Sequence, residues 1–243
     1  MHILKTKIFA DGANIKEILD LNKNPMIKGF TTNPTLMREA GICDYKDFAL
    51  EILSKIKDKT ISFEVFSDDF NEMYAQAIEI ANWGENVYVK IPVTNTKGQS
   101  TCNLISKLAK AKVKQNITAL MTFEQVQHVA KALSGSPSSY ISVFAGRIAD
   151  TGRDPMKTMK DSIDYLKSYP QLELIWASPR ELLNIFQADQ IGCHIITATN
   201  DILKKCELIG KDLNAFSLET VKMFRNDAIK AGFTLEIKEL EYA

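Results

Sequence analysis

The sequence lacks the features of several protein classes. It contains no run of about 18 apolar residues, and the N-terminus has no long apolar stretch before a small-residue cleavage site, so neither a transmembrane helix nor a secretion signal is predicted. Its 30 basic and 30 acidic residues cancel, and no global charge favours nucleic acid or an acidic membrane. The four cysteines show no paired short spacing, which predicts reduced, mostly buried thiols rather than a zinc site or disulfides. We expect a cytoplasmic protein without nucleic-acid or membrane partners.

No Pro-, Gly- or Ser-rich linker divides the chain. Short β-type runs alternate with segments of helical period such as Tyr45–Ile56 and Glu72–Ala81, a pattern that predicts parallel strands joined by right-handed crossovers. The eight β-type runs are Lys7–Ala10, Lys28–Thr31, Thr60–Val65, Val87–Ile91, Lys114–Thr118, Tyr140–Phe144, Leu172–Ala177 and Cys193–Thr197. Eight units in 243 residues predict one α/β domain over 1–243, a (β/α)8 TIM barrel. An open doubly wound sheet is disfavoured because no GxGxxG follows the first strand.

One lysine lies inside a predicted buried strand. Lys90 is part of the run Val87–Thr94, which is otherwise apolar enough to be covered on both faces. An unpaired buried lysine has a lowered pKa and can act as a neutral amine nucleophile, as a Schiff base with a carbonyl substrate requires. In the alternative interpretation, Lys90 reaches the strand end and remains a solvated cation.

Polar residues follow nearly every predicted strand. The C-terminal strand ends of a (β/α)8 barrel form one rim, which carries the active site. Taken singly, these residues have structural explanations: Asp11 and Thr118 could cap the helices after them, and Glu64 could pair with a surface lysine. Their convergence on one rim predicts a site. The set is Asp11, Thr32, Asn33, Glu64, Lys90, Asn116, Thr118, Ser142, Arg147, Ser178, Arg180 and Thr197.

Several motifs resemble those of the transaldolase family, and they occur in the family's order. They are GFTTNPTL at Gly29–Leu36, VKIPVT at Val89–Thr94, NITA at Asn116–Ala119, SVFAGR at Ser142–Arg147 and ASPR at Ala177–Arg180. Because the chain has no long N-terminal extension, it is similar to the short-chain branch, which also contains the fructose 6-phosphate aldolases.

The resemblance implies catalytic roles for four residues. Lys90 would form the Schiff base with the ketone of a ketose phosphate. Asp11 would be the acid/base that takes the proton of the C4 hydroxyl while the C3–C4 bond breaks. Glu64 and Thr118 would hold and activate a water during imine formation and hydrolysis.

The resemblance also implies the substrate contacts. Asn33, Asn116 and Ser142 would hydrogen-bond the dihydroxyacetone unit, Arg147, Ser178 and Arg180 would form the phosphate pocket, and Thr32 and Phe144 complete the binding set. Neither a metal nor another cofactor is expected, because the imine nitrogen accepts the electrons released by C–C cleavage. The histidines His2, His128 and His194 are widely spaced and form no ligand pattern; His128 is predicted on a helix surface and His194 at the core edge.

Two positions bear on the reaction type. Glu64 and Phe144 resemble the transferase branch, whereas the aldolases typically have an amide and a tyrosine there. A phenyl ring cannot donate a proton to the enamine, so the resemblance implies transfer of dihydroxyacetone from fructose 6-phosphate or sedoheptulose 7-phosphate to an aldose phosphate. The alternatives are an aldolase that releases dihydroxyacetone and a non-catalytic sugar-phosphate-binding barrel.

The chain departs from the family pattern around the phosphate pocket. Val143 replaces a proline, Pro179 replaces an aromatic residue, Arg153 adds a cation, and strand eight lacks its usual proline. These departures leave open an unusual acidic ketose, such as a sulfonated sugar, as the substrate. The predicted helix Phe216–Ala231 is apolar on one side, and the tail after it alternates in character. The resemblance implies a homo-oligomer, a pentamer or decamer, in which this helix packs on a neighbouring subunit; packing on its own barrel is the alternative.

Overall fold

The structure, a computed structural model, describes residues 4–235 and contains a closed barrel of eight parallel strands. Each strand pairs with its neighbours in the chain, and the first pairs with the last. The strands are β1 (Lys7–Asp11), β2 (Ile27–Thr31), β3 (Thr60–Glu64), β4 (Val87–Pro92), β5 (Gln115–Leu120), β6 (Ser139–Val143), β7 (Leu172–Trp176) and β8 (Ile195–Thr199). The predicted (β/α)8 barrel is confirmed, and the ends of the predicted strands lie within about two residues of the observed ends.

Helices follow the strands. They are α1 (Ile15–Asn22), α2 (Pro34–Glu39), α3 (Tyr45–Lys55), α4 (Phe70–Ala81), α5 (Cys102–Lys110), α6 (Phe123–Ala132), α7 (Ala145–Ala149), α8 (Met156–Leu166), α9 (Leu183–Gln190), α10 (Asn200–Lys204) and α11 (Leu213–Lys230), with a 3-10 helix at Lys205–Leu208. Helix α4 begins before the predicted Glu72 because the Asp69 carboxylate accepts the backbone N–H groups of Asn71 and Glu72.

An aromatic cluster fills the barrel interior. The rings of Tyr88 and Tyr140 stack with centroids 4.1 Å apart, and Phe9 meets Tyr140 edge-on at 5.7 Å. Gly29 leaves the space for Phe9, because a Cβ there would lie 2.7 Å from the Phe9 ring. Side chains two residues apart in a strand point the same way, so Asp11, Lys90 and Ser142 form the next layer towards the C-terminal strand ends.

The chain divides into two compact units, Met1–Lys204 with the barrel and Lys205–Ala243. Helix α11 belongs to the second unit and begins three residues before the predicted Phe216, because Asp212 caps it. None of its residues is buried, and Leu218, Val221 and Phe224 are more than half exposed. The single domain over 1–243 and the pentamer or decamer stay predictions. The tail after Leu235 lies outside the described residues.

The cysteine prediction is partly wrong. All four thiols are free, but only Cys193 is buried, whereas Cys43 is exposed and Cys102 and Cys206 are partly exposed. Cys43 lies in the loop between α2 and α3, and Cys102 is the first residue of α5. Within residues 4–235, no helix has the length and apolar character needed to cross a membrane.

Candidate active site

Lys90 lies in the barrel interior next to a carboxylate. Its side chain is 7% exposed, its Nζ lies 3.2 Å from Oε2 of Glu64, and it donates a hydrogen bond of 2.7 Å to the backbone carbonyl of Thr32. The predicted alternative of a solvated cation is wrong. The assumption that Lys90 has no partner is also wrong, because the parallel register of β3 and β4 sets Glu64 directly opposite Lys90.

Glu64 is therefore not an exposed partner of a surface lysine. Its side chain is 17% exposed, and its backbone carbonyl accepts the hydroxyl of Tyr45 at 2.8 Å. A cavity beside Glu64 is lined mainly by apolar side chains, among them Met37, Ile42 and Phe66. Buried ion pairs require close geometry and further hydrogen bonds to offset desolvation; here the nearest charged atoms are 3.2 Å apart, and Lys90 also bonds the Thr32 carbonyl.

Asp11 ends β1 and does not cap α1, which is capped by Asn14. Burial raises the pKa of the Asp11 carboxyl group, while the Lys90 ammonium and a hydrogen bond from Thr31 act in the opposite direction. Oγ1 of Thr31 donates that bond to Oδ1 at 2.6 Å. A carboxyl group with a raised pKa is suited to accept a proton at one step and return it at another.

A buried polar network adjoins Lys90 on the other side. Asn116 lies opposite Lys90 in the register of β4 and β5. Its Nδ2 donates to Oγ of Ser62 at 3.0 Å, and its Oδ1 accepts the hydroxyl of Ser142 at 2.7 Å. Such a network holds the Asn116 amide in one orientation, because both ends of the amide are bonded.

Thr118 lies at a bulge in β5. The strand has one more residue than β6 between Ile117 and Leu120, and Ala119 there has a φ of +64°. The hydroxyl of Thr118 is buried and has no hydrogen-bond partner within residues 4–235, and α6 is capped by Thr122 instead. Bulges are common next to active sites because they redirect a side chain. The Thr118 hydroxyl therefore has hydrogen-bonding capacity that no described residue uses.

The loop after β2 contributes Thr32 and Asn33. Oδ1 of Asn33 accepts the backbone N–H of Leu36 and caps α2, so its amide nitrogen is left to donate to a ligand. The Thr32 side chain is fully buried and donates to the backbone carbonyl of Ser62. The backbone carbonyl of Thr32 accepts a hydrogen bond from Lys90. A role for Thr32 in substrate binding stays a prediction.

The proposed phosphate residues follow β6 and β7. Phe144 packs against the interior aromatic cluster, and the exposed Arg147 guanidinium lies 5.7 Å from the centre of its ring. Ser178 has a φ of +59°, a left-handed conformation that non-glycine residues rarely adopt. It lies against α7 so closely that a Cβ on Gly146 would be 1.6 Å from the Ser178 carbonyl oxygen.

Arg180 has a partner that the sequence did not reveal. Its Nε and Nη2 donate to the two carboxylate oxygens of Asp150 at 2.9 and 2.5 Å. The guanidinium lowers the pKa of Asp150. The pair is about half exposed, so we expect it to add little to stability and to act mainly on the charge and orientation of Arg180.

The structure thus joins Lys90, Glu64 and Thr32 in one cluster and Asn116 and Ser142 in another, and it sets the other predicted residues on the same rim. Sequence reasoning missed Thr31, Ser62 and Asp150. Thr31 and Ser62 could have been predicted from strand periodicity, because Thr31 lies two residues after Gly29 and Ser62 two residues before Glu64, so each shares the inward face of its strand. No sequence signal links Asp150 to Arg180.

The described residues 4–235 contain no group of three or more His, Cys, Asp or Glu side chains that could hold a metal ion. His128 is exposed on α6, as predicted. His194 is partly buried, and its Nδ1 accepts the backbone N–H of Leu174. His2 lies outside the described residues.

Comparison with known proteins decides the family. The sequence profile described as Transaldolase/Fructose-6-phosphate aldolase matches residues 8–241. The chain belongs to this family. A relative described as a probable transaldolase, from Dehalococcoides mccartyi, is 38% identical over 81% of this chain and 88% of its own length. A probable transaldolase from Thermoanaerobacter sp. is 33% identical over 94% of this chain and 100% of its own.

Solved structures of lower sequence identity support the barrel fold of this transaldolase-family chain. An aldolase designated QR15 superposes with a TM-score of 0.56 at 12% identity, covering 87% of this chain and all of its own. Dihydrodipicolinate synthase from Rhodopseudomonas palustris gives a TM-score of 0.57 at 14% identity, covering 79% of this chain and 69% of its own.

Proposed function

We propose that the protein is a transaldolase that moves a dihydroxyacetone unit from a ketose phosphate, such as fructose 6-phosphate or sedoheptulose 7-phosphate, to an aldose phosphate. The observation that carries this proposal is the buried Lys90, which lies between the Glu64 carboxylate and the Thr32 carbonyl. Membership of the transaldolase and fructose 6-phosphate aldolase family supports it.

The first step forms an imine. Lys90 transfers a proton to Glu64, 3.2 Å away, and the neutral amine attacks the C2 carbonyl of the ketose. The resulting carbinolamine accepts a proton and loses water, which gives the protonated imine. Glu64 is placed to exchange these protons, and the unpartnered hydroxyl of Thr118 is suited to hold the water.

The second step breaks the C3–C4 bond. The ionised Asp11 takes the proton of the C4 hydroxyl, the aldose leaves as an aldehyde, and the bonding electrons enter the imine to form an enamine on Lys90. Asn33, Asn116 and Ser142 orient the three-carbon unit, while Arg147, Ser178 and Arg180 bind the phosphate of the sugar. Attack of the enamine on a second aldehyde and hydrolysis of the imine then complete the transfer.

Phe144 favours transfer over release. Protonation of the enamine, followed by hydrolysis, would free dihydroxyacetone, and the phenyl ring of Phe144 has no proton to give. The enamine therefore persists until an aldose phosphate accepts it. Free dihydroxyacetone formed without an acceptor would instead identify an aldolase.

Trapping with borohydride tests the proposal. Incubation with fructose 6-phosphate and borohydride, followed by intact mass and peptide mapping, should show a reduced three-carbon adduct on Lys90, because borohydride irreversibly traps the imine that forms whenever the enamine takes up a proton from solvent. A six-carbon adduct on Lys90 would show imine formation without cleavage. If the folded protein forms no adduct, the pocket rejects this sugar or the barrel only binds, and a panel of acidic ketoses, sulfonated sugars included, separates these outcomes.

Asp150→Asn is expected to strengthen binding of a phosphorylated ketose. The carboxylate neutralises part of the Arg180 charge and would repel a phosphate dianion, so its removal should lower KM about threefold, with little change in kcat. Steady-state kinetics with phosphorylated and unphosphorylated ketoses would measure this, and only the former should change.

Asp161→Asn is the matched control, because it removes the same charge from an exposed pair with Lys157 on α8. An increase in KM for Asp150→Asn would show that the carboxylate is needed to orient Arg180, and would contradict the charge argument.

A further inference from the structure

Two buried hydroxyl groups form a chain of hydrogen bonds from Asp11 on β1, through Thr31 on β2, to Thr197 on β8. Oγ1 of Thr31 donates to Oδ1 of Asp11 at 2.6 Å, and Oγ1 of Thr197 lies 2.6 Å from Oγ1 of Thr31. Thr31 and Thr197 are 3% and 6% exposed. Strands β2 and β8 flank β1, so the two side chains meet over its inner face.

We propose that Thr31 and Thr197 form a hydroxyl relay that holds Asp11 in position in both of its protonation states. They are positioning residues, since they act on the reacting atoms only through Asp11. The inference rests on the proposed function for its kinetic consequences, but the hydrogen-bond geometry stands independently of the substrate.

The relay can bond Asp11 in both of its protonation states. A hydroxyl group has one donor and two acceptor sites, and either threonine can donate to the other. When Asp11 is ionised, Thr197 donates to Thr31 and Thr31 donates to the carboxylate. When Asp11 has taken the C4 hydroxyl proton, the oxygen that faces Thr31 is still an acceptor, so Thr31 continues to donate to it and Thr197 to Thr31.

The carboxyl group therefore need not turn when its charge changes, and the proton stays on the side of Asp11 that faces the substrate. The relay therefore keeps the carboxyl group bonded through the step in which its charge changes. We infer that this prevents it from turning away between accepting the proton and returning it.

The charged groups that face Asp11 are Lys90 on β4, which favours its ionised form, and Glu64 on β3, which opposes it. Helix α10 packs against β1. Its Asp201 carboxylate accepts a hydrogen bond from the hydroxyl of Thr199, which lies opposite Asp11 in the register of β1 and β8. Burial raises the pKa of Asp11, and the Thr31 hydroxyl counteracts part of that effect.

Substitution with valine tests the relay because valine keeps the shape of threonine without the hydroxyl. In Thr31→Val the carboxylate loses its donor, so we expect kcat to fall about tenfold and the acidic limb of the pH profile to move to higher pH. Thr197→Val should shift the limb in the same direction by less, because it acts through Thr31. Thr31→Ser should restore both quantities.

A carbon-13 NMR titration of the Asp11 carboxyl carbon, assigned with Asp11→Asn, provides a measurement without substrate. The midpoint should rise in Thr31→Val, rise less in Thr197→Val and return in Thr31→Ser. Thr6→Val is the matched control: it removes another buried hydroxyl, which donates to the Cys193 carbonyl, and should leave the midpoint unchanged.

The outcomes separate the two proposals. If wild-type protein does not turn over any ketose, the proposed function fails, and the titration still decides the relay. If wild-type protein turns over but the midpoint is the same in Thr31→Val and Thr197→Val as in wild type, the relay is wrong and the threonines only fill space. An equal shift in Thr6→Val would also overturn it, since the effect would then be general loss of packing.

Discussion

Replacement of Lys90 by methionine should abolish turnover, lowering kcat by about four orders of magnitude or more. Lys90 is the only amine among the proposed site residues, and without the imine the electrons of the C3–C4 bond have no acceptor. Methionine is similar in length to lysine and fits an apolar strand. Turnover of fructose 6-phosphate with an aldose phosphate acceptor, together with the borohydride adduct, would measure the loss.

The variant also leaves Glu64 without its cation. Loss of one partner of a fully buried pair costs about 3–5 kcal/mol, and we expect less here because the Glu64 side chain is 17% exposed. Lys90→Arg is the control for destabilisation, because it keeps the positive charge beside Glu64 but offers no neutral amine to form the imine. Thermal unfolding of both variants should show a folded protein.

Lys114→Met is the control for loss of a lysine. Lys114 precedes β5 at the opposite end of the barrel, where its Nζ donates to the backbone carbonyl of Glu85. It should retain wild-type turnover and the adduct. Activity near wild type in Lys90→Met, or an adduct mapped to another lysine, would disprove the imine mechanism.

Gly146→Ala should destabilise the protein strongly for so small a change. A Cβ at this position would lie 1.6 Å from the backbone carbonyl oxygen of Ser178, so α7 and the end of β7 must move apart. Overpacking costs about 1–3 kcal/mol and occasionally more, and we expect the upper end, because the obstacle is backbone and cannot change rotamer. Denaturant unfolding would give the difference in free energy of unfolding.

The same movement should displace the phosphate residues. Arg147 follows Gly146 in α7, and Arg180 follows Ser178, so KM for a phosphorylated ketose should rise in Gly146→Ala. Gly12→Ala is the matched control for stability: a Cβ at Gly12 would meet no heavy atom within 4 Å, and the position does not require a positive φ. Equal stability of the two alanine variants would contradict the close contact with Ser178.

Local patterns in the sequence determined the architecture. Eight short β-type runs alternating with amphipathic segments predicted the closed barrel, because each run must be buried and each intervening helix must cover it. The barrel in turn predicted one rim, and the polar residues after the strands could be assigned to it. The family resemblance was also visible in the sequence, since the motifs around Asn33 and Lys90 are continuous in the chain.

Only the tertiary structure decided what each rim residue contacts. Glu64 lies beside Lys90, Thr197 bonds Thr31, and Asp150 holds Arg180, and in each pair the partners are at least 26 residues apart in the chain. Such contacts depend on strand register, on the bulge in β5 and on the left-handed turn at Ser178. A shift of one residue in register would turn a side chain from the interior to the helices without changing any local sequence pattern.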